Sequence, residues 1–405
     1  MSELSYMEKL LEGVEVEWLF LSEIVELKRG KRLVKSQLSD VGKYAVYQNS
    51  MTPLGYYHQS NTSTDTTYII CAGAAGEIGF STSPLWAADD VYYLVSPEKL
   101  SSKYIYYFLL TQKSKILSQV RRASIPRLSR TAFEKIPVPI PCPNNPEKSL
   151  AIQSEIVRIL DKFTALTAEL TAELTAELTA RKKQYNYYRD QLLSFDEGVV
   201  PHVPMGQEGV GEFIRGGSLQ KKDFTEIGVG CIHYGQIYTY YGTYTNQTKV
   251  FVSEGLASKC RKAQQGNLVI ATTSENDEDV CKAVAWLGKE DIAVSSDACI
   301  YKHRMNPKYV SYFFQTEQFQ QQKKKYITGA KVRRVNADSL AKILIPNPSL
   351  AEQSRIVAIL DKFDTLTNSI SEGLPREIEL RQKQYEYYRE LLFSFPKPET
   401  IHNAH

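Results

Sequence analysis

The most regular pattern of apolar and polar positions lies in residues 151–195. Apolar side chains recur there at positions i, i+3, i+4 and i+7, and good helix formers fill the positions between them. The members of this apolar stripe are Ile152, Ile156, Ile159, Leu160 and Phe163. The spacing predicts one amphipathic helix of about 45 residues, which would span about 68 Å at 1.5 Å per residue.

This helical pattern occurs twice, because residues 351–395 repeat it at a constant offset of 200 positions (351 − 151 = 200) without a gap. Positions that are identical in the two copies include Ile156 and Ile356, Leu160 and Leu360, Asp161 and Asp361, Phe163 and Phe363, and Tyr185 and Tyr385. A long helix with one apolar stripe needs a partner that covers the stripe. We therefore expect the two copies to pack against each other as an antiparallel coiled coil.

The duplication extends outward from the two helices. Residues 103–141 resemble residues 308–348, and each segment contains a helix-like stretch, a basic stretch and a strand rich in Ile and Pro. Shorter resemblances join residues 26–30 to 212–216 and residues 6–11 to 188–193. The chain is thus predicted to be two cyclically arranged copies of a globular unit followed by a helix, related by a pseudo-two-fold axis.

Between the helices, the two globular units differ strongly in sequence. Each mixes β-rich runs, such as residues 67–70, 91–95 and 267–270, with shorter helical segments. The expected fold class is therefore α/β or α+β, with two globular domains joined by two long antiparallel helices. Similar helices joined to divergent domains suggest one scaffold that carries two different binding surfaces.

The composition excludes several classes of protein. The 405-residue chain has 42% hydrophobic and 23% charged residues, which is ordinary for a globular protein and argues against disorder. No run approaches the roughly 20 apolar residues of a membrane-spanning helix, and the N-terminus lacks the apolar core of a signal peptide. The six cysteines form no CxxC pair, so we expect reduced, buried thiols in a cytoplasmic protein.

Motifs for catalysis are absent from the sequence. It contains no GxxxxGKS/T phosphate loop, no HExxH zinc motif and no DPPY or NPPY tetrapeptide of an amino-methyltransferase. The glycine-rich segment 73–79 has a spacing that differs from the dinucleotide-binding fingerprint, which favours a turn before the next strand. The acidic segment 275–279 is expected to be a solvated loop, with a cation site as the alternative.

Basic residues cluster at two equivalent places. Residues 113–135 and residues 323–342 each carry seven basic residues and one acidic residue, in a chain whose net charge is only +3. One such run is typical of a solvated helix face, but its recurrence favours two phosphate-contacting patches. Arginine can also read guanine edges, so phosphate contacts and base contacts both remain open. The predicted DNA-binding residues are Arg121, Arg122, Arg127, Arg130, Lys323, Lys331, Arg333 and Arg334, together with Arg29 and Arg215 from the shorter resemblance.

A tetrapeptide repeat, Thr-Ala-Glu-Leu, occupies the middle of the first long helix. Its leucines, which drift about 40° per step around a helix, are Leu166, Leu170, Leu174 and Leu178. The repeat is predicted to be a helical spacer, and we hypothesise that its number of units sets the distance between the two binding surfaces. The second copy has Pro375 opposite the repeat, and this proline either starts a new helical stretch or kinks the helix.

Both units end in a Pro-rich strand before the motif Gln-Ser-x-Ile-Val-x-Ile-Leu-Asp-Lys-Phe, at residues 153–163 and 353–363. In this organisation the chain resembles the specificity subunit of type I restriction-modification systems. The Thr-Ala-Glu-Leu repeats, with residues 181–185 and 381–385, resemble the type IC subgroup in particular. The resemblance covers essentially the whole chain and is most specific in the helices.

The resemblance implies a noncatalytic subunit that reads a bipartite, asymmetric sequence in double-stranded DNA. It implies two target-recognition domains, at residues 1–148 and 197–348, a central helix at 149–196, a distal helix at 349–395 and a tail at 396–405. The helices would fix the gap between half-sites and dock two methyltransferase subunits, and two motor-nuclease (restriction/translocase) subunits would complete the enzyme. No metal or cofactor is expected in this chain, because S-adenosylmethionine, ATP and Mg²⁺ would belong to the partner subunits.

Two alternatives stay open from the sequence. The tyrosine clusters at 185–188 and 385–388 either pack the coiled coil or face a methyltransferase. The whole chain is alternatively a coiled-coil scaffold that binds protein or RNA, which predicts weak salt dependence or no preference for duplex DNA. The DNA-reading interpretation predicts steep salt dependence and sequence selectivity. A stand-alone nuclease or methyltransferase would need motifs that the sequence lacks.

Overall fold

The computed structural model describes residues 13–369 and 372–396. The chain divides into two compact units. The first unit comprises the described residues up to Ala172 and those from Glu379 onward, and the second unit comprises Glu173–Ile378. Residues 6–11, which resemble 188–193 in sequence, and residues 397–405 of the tail lie outside the described residues.

The first unit contains nine strands and four short helices among its described residues, before the long helical segments. The strands are β1 (Val16–Phe20), β2 (Glu26–Arg29), β3 (Tyr44–Tyr47), β4 (Gly55–Tyr57), β5 (Thr66–Ile70), β6 (Ile78–Ser81), β7 (Trp86–Ala87), β8 (Val91–Val95) and β9 (Pro137–Pro141). The short helices are α1 (Leu21–Ile24), α2 (Ser102–Thr111), α3 (Lys113–Ser118) and α4 (Thr131–Glu134).

The sheets of the first unit are mixed. Four antiparallel strands form one sheet in the order β2-β8-β5-β6, and a second sheet has the order β4-β3-β7 with β3 and β7 parallel. Strands β1 and β9 form an antiparallel pair from Val16 opposite Pro141 to Phe20 opposite Pro137. The strands predicted at residues 67–70 and 91–95 are β5 and β8, and the glycine-rich segment that follows β5 is a turn in which Gly73 and Gly76 have positive φ.

The second unit contains thirteen strands and five short helices among its described residues. The strands are β10 (His202–Pro204), β11 (Gly211–Arg215), β12 (Val229–Ile232), β13 (Tyr244–Thr245), β14 (Val250–Val252), β15 (Lys262–Ala263), β16 (Leu268–Ala271), β17 (Thr273–Ser274), β18 (Ala283–Trp286), β19 (Ile292–Val294), β20 (Ala298–His303), β21 (Arg333–Arg334) and β22 (Leu344–Pro346). The helices are α6 (Tyr234–Thr239), α7 (Glu254–Ala257), α8 (Pro307–Phe313), α9 (Glu317–Lys324) and α10 (Ala337–Leu340).

The second unit is also built on mixed sheets, but they are larger. Five strands have the order β11-β20-β16-β18-β13, and four have the order β14-β12-β19-β15. Strand β16, predicted from residues 267–270, is buried along its whole length and pairs antiparallel with both of its neighbours. Mixed sheets with helices in both units confirm the predicted α/β class.

The first copy of the long helical pattern forms one helix, α5 (Pro146–Leu192), of 47 residues. The second copy forms two helices, α11 (Leu350–Asn368) and α12 (Gly373–Leu392). The prediction of a single continuous helix is therefore wrong for the second copy. Gly373 has a φ of +78°, and Pro375 is the third residue of α12. Of the two roles considered for Pro375, the structure favours the start of a new helix, because the first turn needs no amide donor at that position.

Side chains of the helices meet within each unit. In the first unit the rings of Phe163 and Tyr388 stack with centroids 5.3 Å apart, and the hydroxyls of Thr164 and Tyr385 lie 3.0 Å apart. From the first contact to the second, the residue number rises from 163 to 164 in α5 and falls from 388 to 385 in α12. These helical segments therefore run antiparallel, as predicted. In the second unit Phe363 contacts the rings of both Tyr185 and Tyr188.

Each unit buries its helices in the same core as its sheets. In the first unit, Ile156 and Leu160 of α5 lie in one apolar cluster with Phe108 of α2 and with Phe393, which follows α12. In the second unit, Ile356 and Leu360 of α11 share a cluster with strand β16 and helix α8. The apolar stripe identified in the sequence therefore faces the globular domain as well as the other helix.

Candidate nucleic-acid interface

The basic segment of the first unit forms a short β-hairpin. Arg121 and Arg127 pair through two backbone hydrogen bonds, with N···O distances of 2.9 and 3.1 Å. The amide of Leu128 then donates to the carbonyl oxygen of Cys71 at 2.8 Å, which ties the hairpin to the end of β5. We call residues 121–127 the first arginine hairpin.

The basic segment of the second unit forms a hairpin of the same length. Thr328 and Arg334 pair through two backbone hydrogen bonds, both with N···O distances of 2.9 Å. The amide of Val335 donates to the carbonyl oxygen of Thr272 at 3.1 Å, which ties this hairpin to the end of β16. We call residues 328–334 the second arginine hairpin.

The two hairpins occupy equivalent places in their units. Each is anchored by the residue that follows it to the residue that follows a buried strand, β5 or β16. Because the backbone of a buried strand is held on both sides by its neighbours, each hairpin extends from a rigid part of its sheet. Local sequence predicted only the basic character of these segments, whereas the structure shows their shape and anchoring.

Two further predicted residues, Arg29 and Arg215, end equivalent strands. Arg29 is the last residue of β2, and its Nε donates to the carbonyl oxygen of Asp89 at 2.8 Å. Arg215 is the last residue of β11, and its Nε donates to the carbonyl oxygen of Ser296 at 3.2 Å. Both arginines are exposed, so one nitrogen of each guanidinium is used in orienting the side chain while the side chain stays accessible.

A glycine follows each of these arginines for a steric reason. A Cβ on Gly30 would come within 3.0 Å of the backbone of Ala88, and a Cβ on Gly216 would come equally close to the backbone of Ser295. The amides of both glycines donate to a neighbouring strand at 2.9 Å. Only glycine allows this close approach of two backbone segments, which explains why an Arg-Gly pair occurs at both places.

The structure brings Arg215 and Arg334 together in the second unit. Both side chains line a cleft of about 290 Å³ that also includes Thr272 and Asp297. These residues come from strand β11, from the end of β16, from the turn between β19 and β20, and from the second arginine hairpin. The cleft therefore joins two of the predicted DNA-binding segments that are far apart in the sequence.

The hairpin arginines of the first unit are available for an anionic ligand. Arg121, Arg122 and Arg127 are exposed, and across residues 13–369 and 372–396 none of them forms an ion pair with a carboxylate. Arg130, just beyond the hairpin, forms an ion pair with Glu134 at 2.9 Å. The positive charge of the hairpin is thus left uncompensated locally.

The second hairpin is partly neutralised. Arg333 forms an ion pair with Asp277 at 2.7 Å, while the guanidinium of Arg334 lies 3.9 Å from the carboxylate of Asp297. Lys331, in the loop of the hairpin, is exposed. The pairing of Arg333 with Asp277 also gives the acidic segment 275–279 a structural role.

The prediction that Lys323 contacts DNA is wrong. Its side chain is fully buried, and Nζ donates to the carbonyl oxygens of Val280 at 2.8 Å and Glu278 at 3.0 Å. Burial lowers the pKa of Lys323 below its usual value. The sequence did contain a signal for this location, because Lys323 follows buried Phe319 by four residues and so lies on the same helix face.

The leucines of the tetrapeptide repeat all lie in α5, so the helical form of the spacer is confirmed. Leu166 is exposed, and Leu170, Leu174 and Leu178 are half-buried. None of the four is fully buried, which is consistent with a stripe that winds slowly around the helix. Their role in setting a distance stays a prediction.

A set of polar contacts that sequence reasoning missed joins each domain to its helix. In the first unit, Lys103 and Tyr107 of α2 contact Asp161 of α5, with Nζ–Oδ1 and hydroxyl–Oδ1 distances of 2.7 and 2.6 Å. We call this set, and its counterpart in the second unit, a helix anchor. Burial raises the pKa of Tyr107, so its hydroxyl stays protonated and donates to the carboxylate.

The helix anchor of the second unit uses the same residue types. Lys308 and Tyr312 of α8 contact Asp361 of α11, each at 2.7 Å. Burial again raises the pKa of the tyrosine. The sequence signal for these anchors was the recurrence, in both copies, of a lysine followed four residues later by a tyrosine and of an Asp-Lys-Phe triplet. The pattern does not predict that the two segments touch.

The tyrosine clusters of the helices divide between the two roles considered for them. Tyr185 is buried, and Tyr188 and Tyr388 pack on Phe363 and Phe163, respectively. Tyr187 and Tyr387, at equivalent positions, are 61% and 59% exposed, and Tyr188 stays 41% exposed although it packs on Phe363. Packing therefore accounts for part of each cluster, and the equivalent rings of Tyr187 and Tyr387 are the most exposed in their copies.

Other chemistry is limited in the part of the chain that the structure describes. There, no group of three or more His, Cys, Asp and Glu side chains is placed to hold a metal ion. The six cysteines are free thiols, four of them buried. Within the same residues, no helix combines the length and the apolar character needed to cross a membrane.

The chain matches the family model described as the type I restriction modification DNA specificity domain twice, at residues 13–180 and 204–380. It is 40% identical over 418 aligned positions to the type I restriction enzyme EcoR124I/EcoR124II specificity subunit of Escherichia coli, with 100% of both chains covered. It is 33% identical to a putative type I restriction enzyme specificity subunit of Haemophilus influenzae, with 96% of this chain and 98% of the relative covered.

A solved structure has a similar fold. It comes from work titled as the structural basis of complex assembly and conformational transition of the type I R-M system, and it superposes with a TM-score of 0.55. The match covers 93% of this chain and 97% of that chain at 14% sequence identity. At that identity the likeness concerns the fold alone.

Proposed function

Because the chain belongs to the family of type I restriction-modification specificity subunits, we propose that it reads a bipartite, asymmetric DNA site with two recognition domains. The subunit is noncatalytic, and the cofactors of the reaction belong to its partner subunits. The first domain, at residues 1–148, would read one half-site, and the second, at residues 197–348, would read the other.

The observation that carries this proposal is the pair of arginine hairpins. Two hairpins of seven residues extend from equivalent places, and each presents exposed basic side chains. A two-stranded ribbon is narrow enough to enter the major groove of B-DNA, where arginine can contact phosphates and guanine edges. Because the loop sequences of the hairpins differ, the two half-sites would differ as well.

We also propose specific roles for the helices. The Thr-Ala-Glu-Leu units of α5 would set the number of base pairs between the half-sites, since each unit adds about 6 Å and about 40° beyond a full turn. The exposed rings of Tyr187 and Tyr387 would dock two methyltransferase subunits, one per copy. An exposed tyrosine on a rigid helix is the kind of residue that often contributes most of the binding energy at an interface. Two motor-nuclease subunits would complete the restriction enzyme.

The proposal is tested by mapping methylated bases in DNA from cells that express this chain with the methyltransferase subunit of its system. We expect a two-part asymmetric motif with a fixed gap. Deletion of residues 171–174, one repeat unit, should change the gap while leaving both half-sites unaltered. A gap that does not change would refute the role of the repeat, without affecting the recognition role.

The competing scaffold interpretation makes an opposite prediction for the same complex. A DNA reader loses affinity for duplex DNA steeply as salt rises, because each neutralised phosphate releases counterions. Methylation that is absent, or scattered without a motif, from a complex shown to assemble would reject DNA recognition and favour a protein- or RNA-binding scaffold.

A further inference from the structure

Each arginine hairpin carries one exposed apolar side chain at the same position of its loop. Ile125 lies two residues before Arg127, and Val332 lies two residues before Arg334. Ile125 is 53% exposed and Val332 is 44% exposed. Neither belongs to any of the apolar clusters found among the described residues.

Single exposed apolar residues are common on protein surfaces and usually need no explanation. These two differ because they recur at equivalent places in domains whose loops otherwise have different sequences. Both are β-branched, and each lies within two residues of an arginine in its hairpin. A solvent-facing apolar position that recurs beside arginines in both hairpins points to a ligand that is anionic and also offers small apolar groups.

Duplex DNA meets that description. Its phosphates match the arginines, and its major groove presents one prominent apolar group, the 5-methyl of thymine. Resting on the recognition function proposed above, we propose that Ile125 and Val332 are specificity-determining residues, each in contact with a thymine methyl in its own half-site. The arginines position the hairpin on the backbone and guanine edges, and the β-branched side chain selects an A·T pair.

The position of the two residues supports direct contact with bases. Residues of the hairpin that pair with each other, Arg121 with Arg127 and Thr328 with Arg334, lie at the base of each loop, next to the sheet. Ile125 and Val332 lie in the loops, away from the anchoring strands. The loop of the second hairpin is closed by Gly329, whose φ is +89°, and by the guanidinium of Arg333, which donates to the Gly329 carbonyl oxygen at 2.6 Å. A loop closed in this way holds Val332 in one place.

The test uses the complex of the full chain with its methyltransferase subunit and synthetic duplexes that carry the mapped site. Each thymine of the site is replaced in turn by deoxyuridine, which lacks the 5-methyl group. For the unaltered complex, we expect one thymine per half-site whose replacement lowers kcat/KM for methylation about fourfold, the factor that burial of one methyl-sized group gives.

The variants Ile125→Ser and Val332→Ser then assign each contact. We expect Ile125→Ser to abolish the response to deoxyuridine in the first half-site only, and Val332→Ser to abolish it in the second only. If both variants respond to deoxyuridine as the unaltered complex does, or if no thymine in the site shows an effect, the proposal is wrong. If the variants instead weaken assembly with the methyltransferase, these residues belong to a protein interface and the proposal is also wrong.

Matched controls separate this result from misfolding and from failure of the recognition function. Leu54→Ser changes an apolar residue of the first unit that is 52% exposed, and Val199→Ser changes one of the second unit that is 79% exposed. Both should leave the deoxyuridine response intact. Ile125→Val and Val332→Ile should retain it, because each keeps a β-branched apolar side chain. If the complex without substitutions methylates no bipartite motif, the recognition function itself is rejected. If it methylates such a motif but the variants do not change the deoxyuridine response, only the thymine contacts are rejected.

Discussion

The contacts that hold the helices are the same in the two units, whereas the hairpins that face solvent are different. The carboxylates of Asp161 and Asp361 each accept hydrogen bonds from one lysine ammonium and one tyrosine hydroxyl, at distances of 2.6–2.8 Å. Gln153 and Gln353 each accept from a backbone amide at the start of the helix that follows the large sheet, at 2.9 and 2.8 Å. In both units these contacts link the domain to the long helices.

The hairpins show the opposite behaviour. They share a length and an anchoring hydrogen bond, but Thr328 replaces Arg121 at the first position and Arg333 replaces Pro126 near the end. The second hairpin is partly neutralised by Asp277 and Asp297, and the first is not. The comparison shows that the two units differ in their surface loops while they keep the contacts that join each domain to its helix, which is the pattern expected if the units read two different half-sites as proposed.

The largest expected effect comes from substitutions that should be equally damaging in both units. Gly30→Ala and Gly216→Ala would each place a Cβ within 3.0 Å of a neighbouring backbone that has no room to move. We expect each to lower the free energy of unfolding of its unit by about 3 kcal/mol or more, as measured by chemical denaturation. Gly255→Ala, where no atom lies within 4 Å of the added Cβ, is the control and should be harmless. A harmless Gly30→Ala with a damaging Gly216→Ala would show that the units are not equivalent here.

The second prediction distinguishes the units by pH. Burial lowers the pKa of His303, the last residue of β20, to about 4 from an ordinary value near 6.5. The first unit has no histidine at the corresponding place, where Ser96 follows β8. Below pH 6.5 the unfolded chain takes up a proton on His303 and the folded unit does not, so this residue lowers stability as the pH falls from 6.5 to 4. The loss reaches up to about 3 kcal/mol at pH 4.

Thermal unfolding of the unaltered chain and of His303→Asn between pH 4 and pH 7 checks this prediction. The variant should lose less stability on acidification than the unaltered chain, and the two should respond alike above pH 7. Equal pH dependence of both proteins would show that His303 is accessible to solvent when the unit is folded.

Removal of either helix anchor should have a smaller effect, and the second should matter more. Asp161→Ala and Asp361→Ala each leave a lysine and a tyrosine hydroxyl without their shared acceptor. The side chain of Asp361 is 28% exposed and that of Asp161 is 40% exposed, so we expect losses of about 2 and about 1 kcal/mol, respectively. Thermal unfolding measures both. Glu352→Ala, which removes an exposed ion pair with Arg355, should change little, and a loss as large as that of Asp361→Ala would argue against the anchors.

The smallest expected effect is on DNA binding by single hairpin arginines. Arg127→Ala should weaken binding of the assembled complex to its site by about 1 kcal/mol and reduce the salt slope by about one unit. Arg334→Ala should weaken binding less, because Asp297 already compensates part of the Arg334 charge. Titrations at several salt concentrations measure both values. Lys259→Ala, at an exposed lysine outside the two basic segments, serves as a control for the loss of one positive charge.

Much of the architecture could be predicted from local sequence. The apolar period that predicted α5, the β-rich runs that predicted strands β5, β8 and β16, and the two basic segments are all patterns within a few tens of residues. The break in the second helical copy was anticipated only as one of two roles for Pro375, because the apolar pattern by itself predicts one helix. The structure shows that one helix ends at Asn368 and the next begins at Gly373, two residues before Pro375.

The candidate interface was predictable only in part. Nine of the ten predicted basic residues are at least partly accessible, whereas Lys323 lies in the core with two carbonyl acceptors. A run of lysines looks the same in sequence whether its members face water or fill the core. The helix anchors were missed for a similar reason, since repetition identifies residues that matter without identifying their partners.

The amino-acid pattern is enough to show a duplicated chain with a long helical spacer and two basic segments, because repetition, periodicity and charge can be read along the chain. Three facts required the folded structure: Arg215 and Arg334 line one cleft, the basic segments are hairpins anchored to buried strands, and Ile125 and Val332 remain exposed. Those facts depend on hydrogen bonds and burial between residues far apart in the chain, and packing rather than local preference determines them.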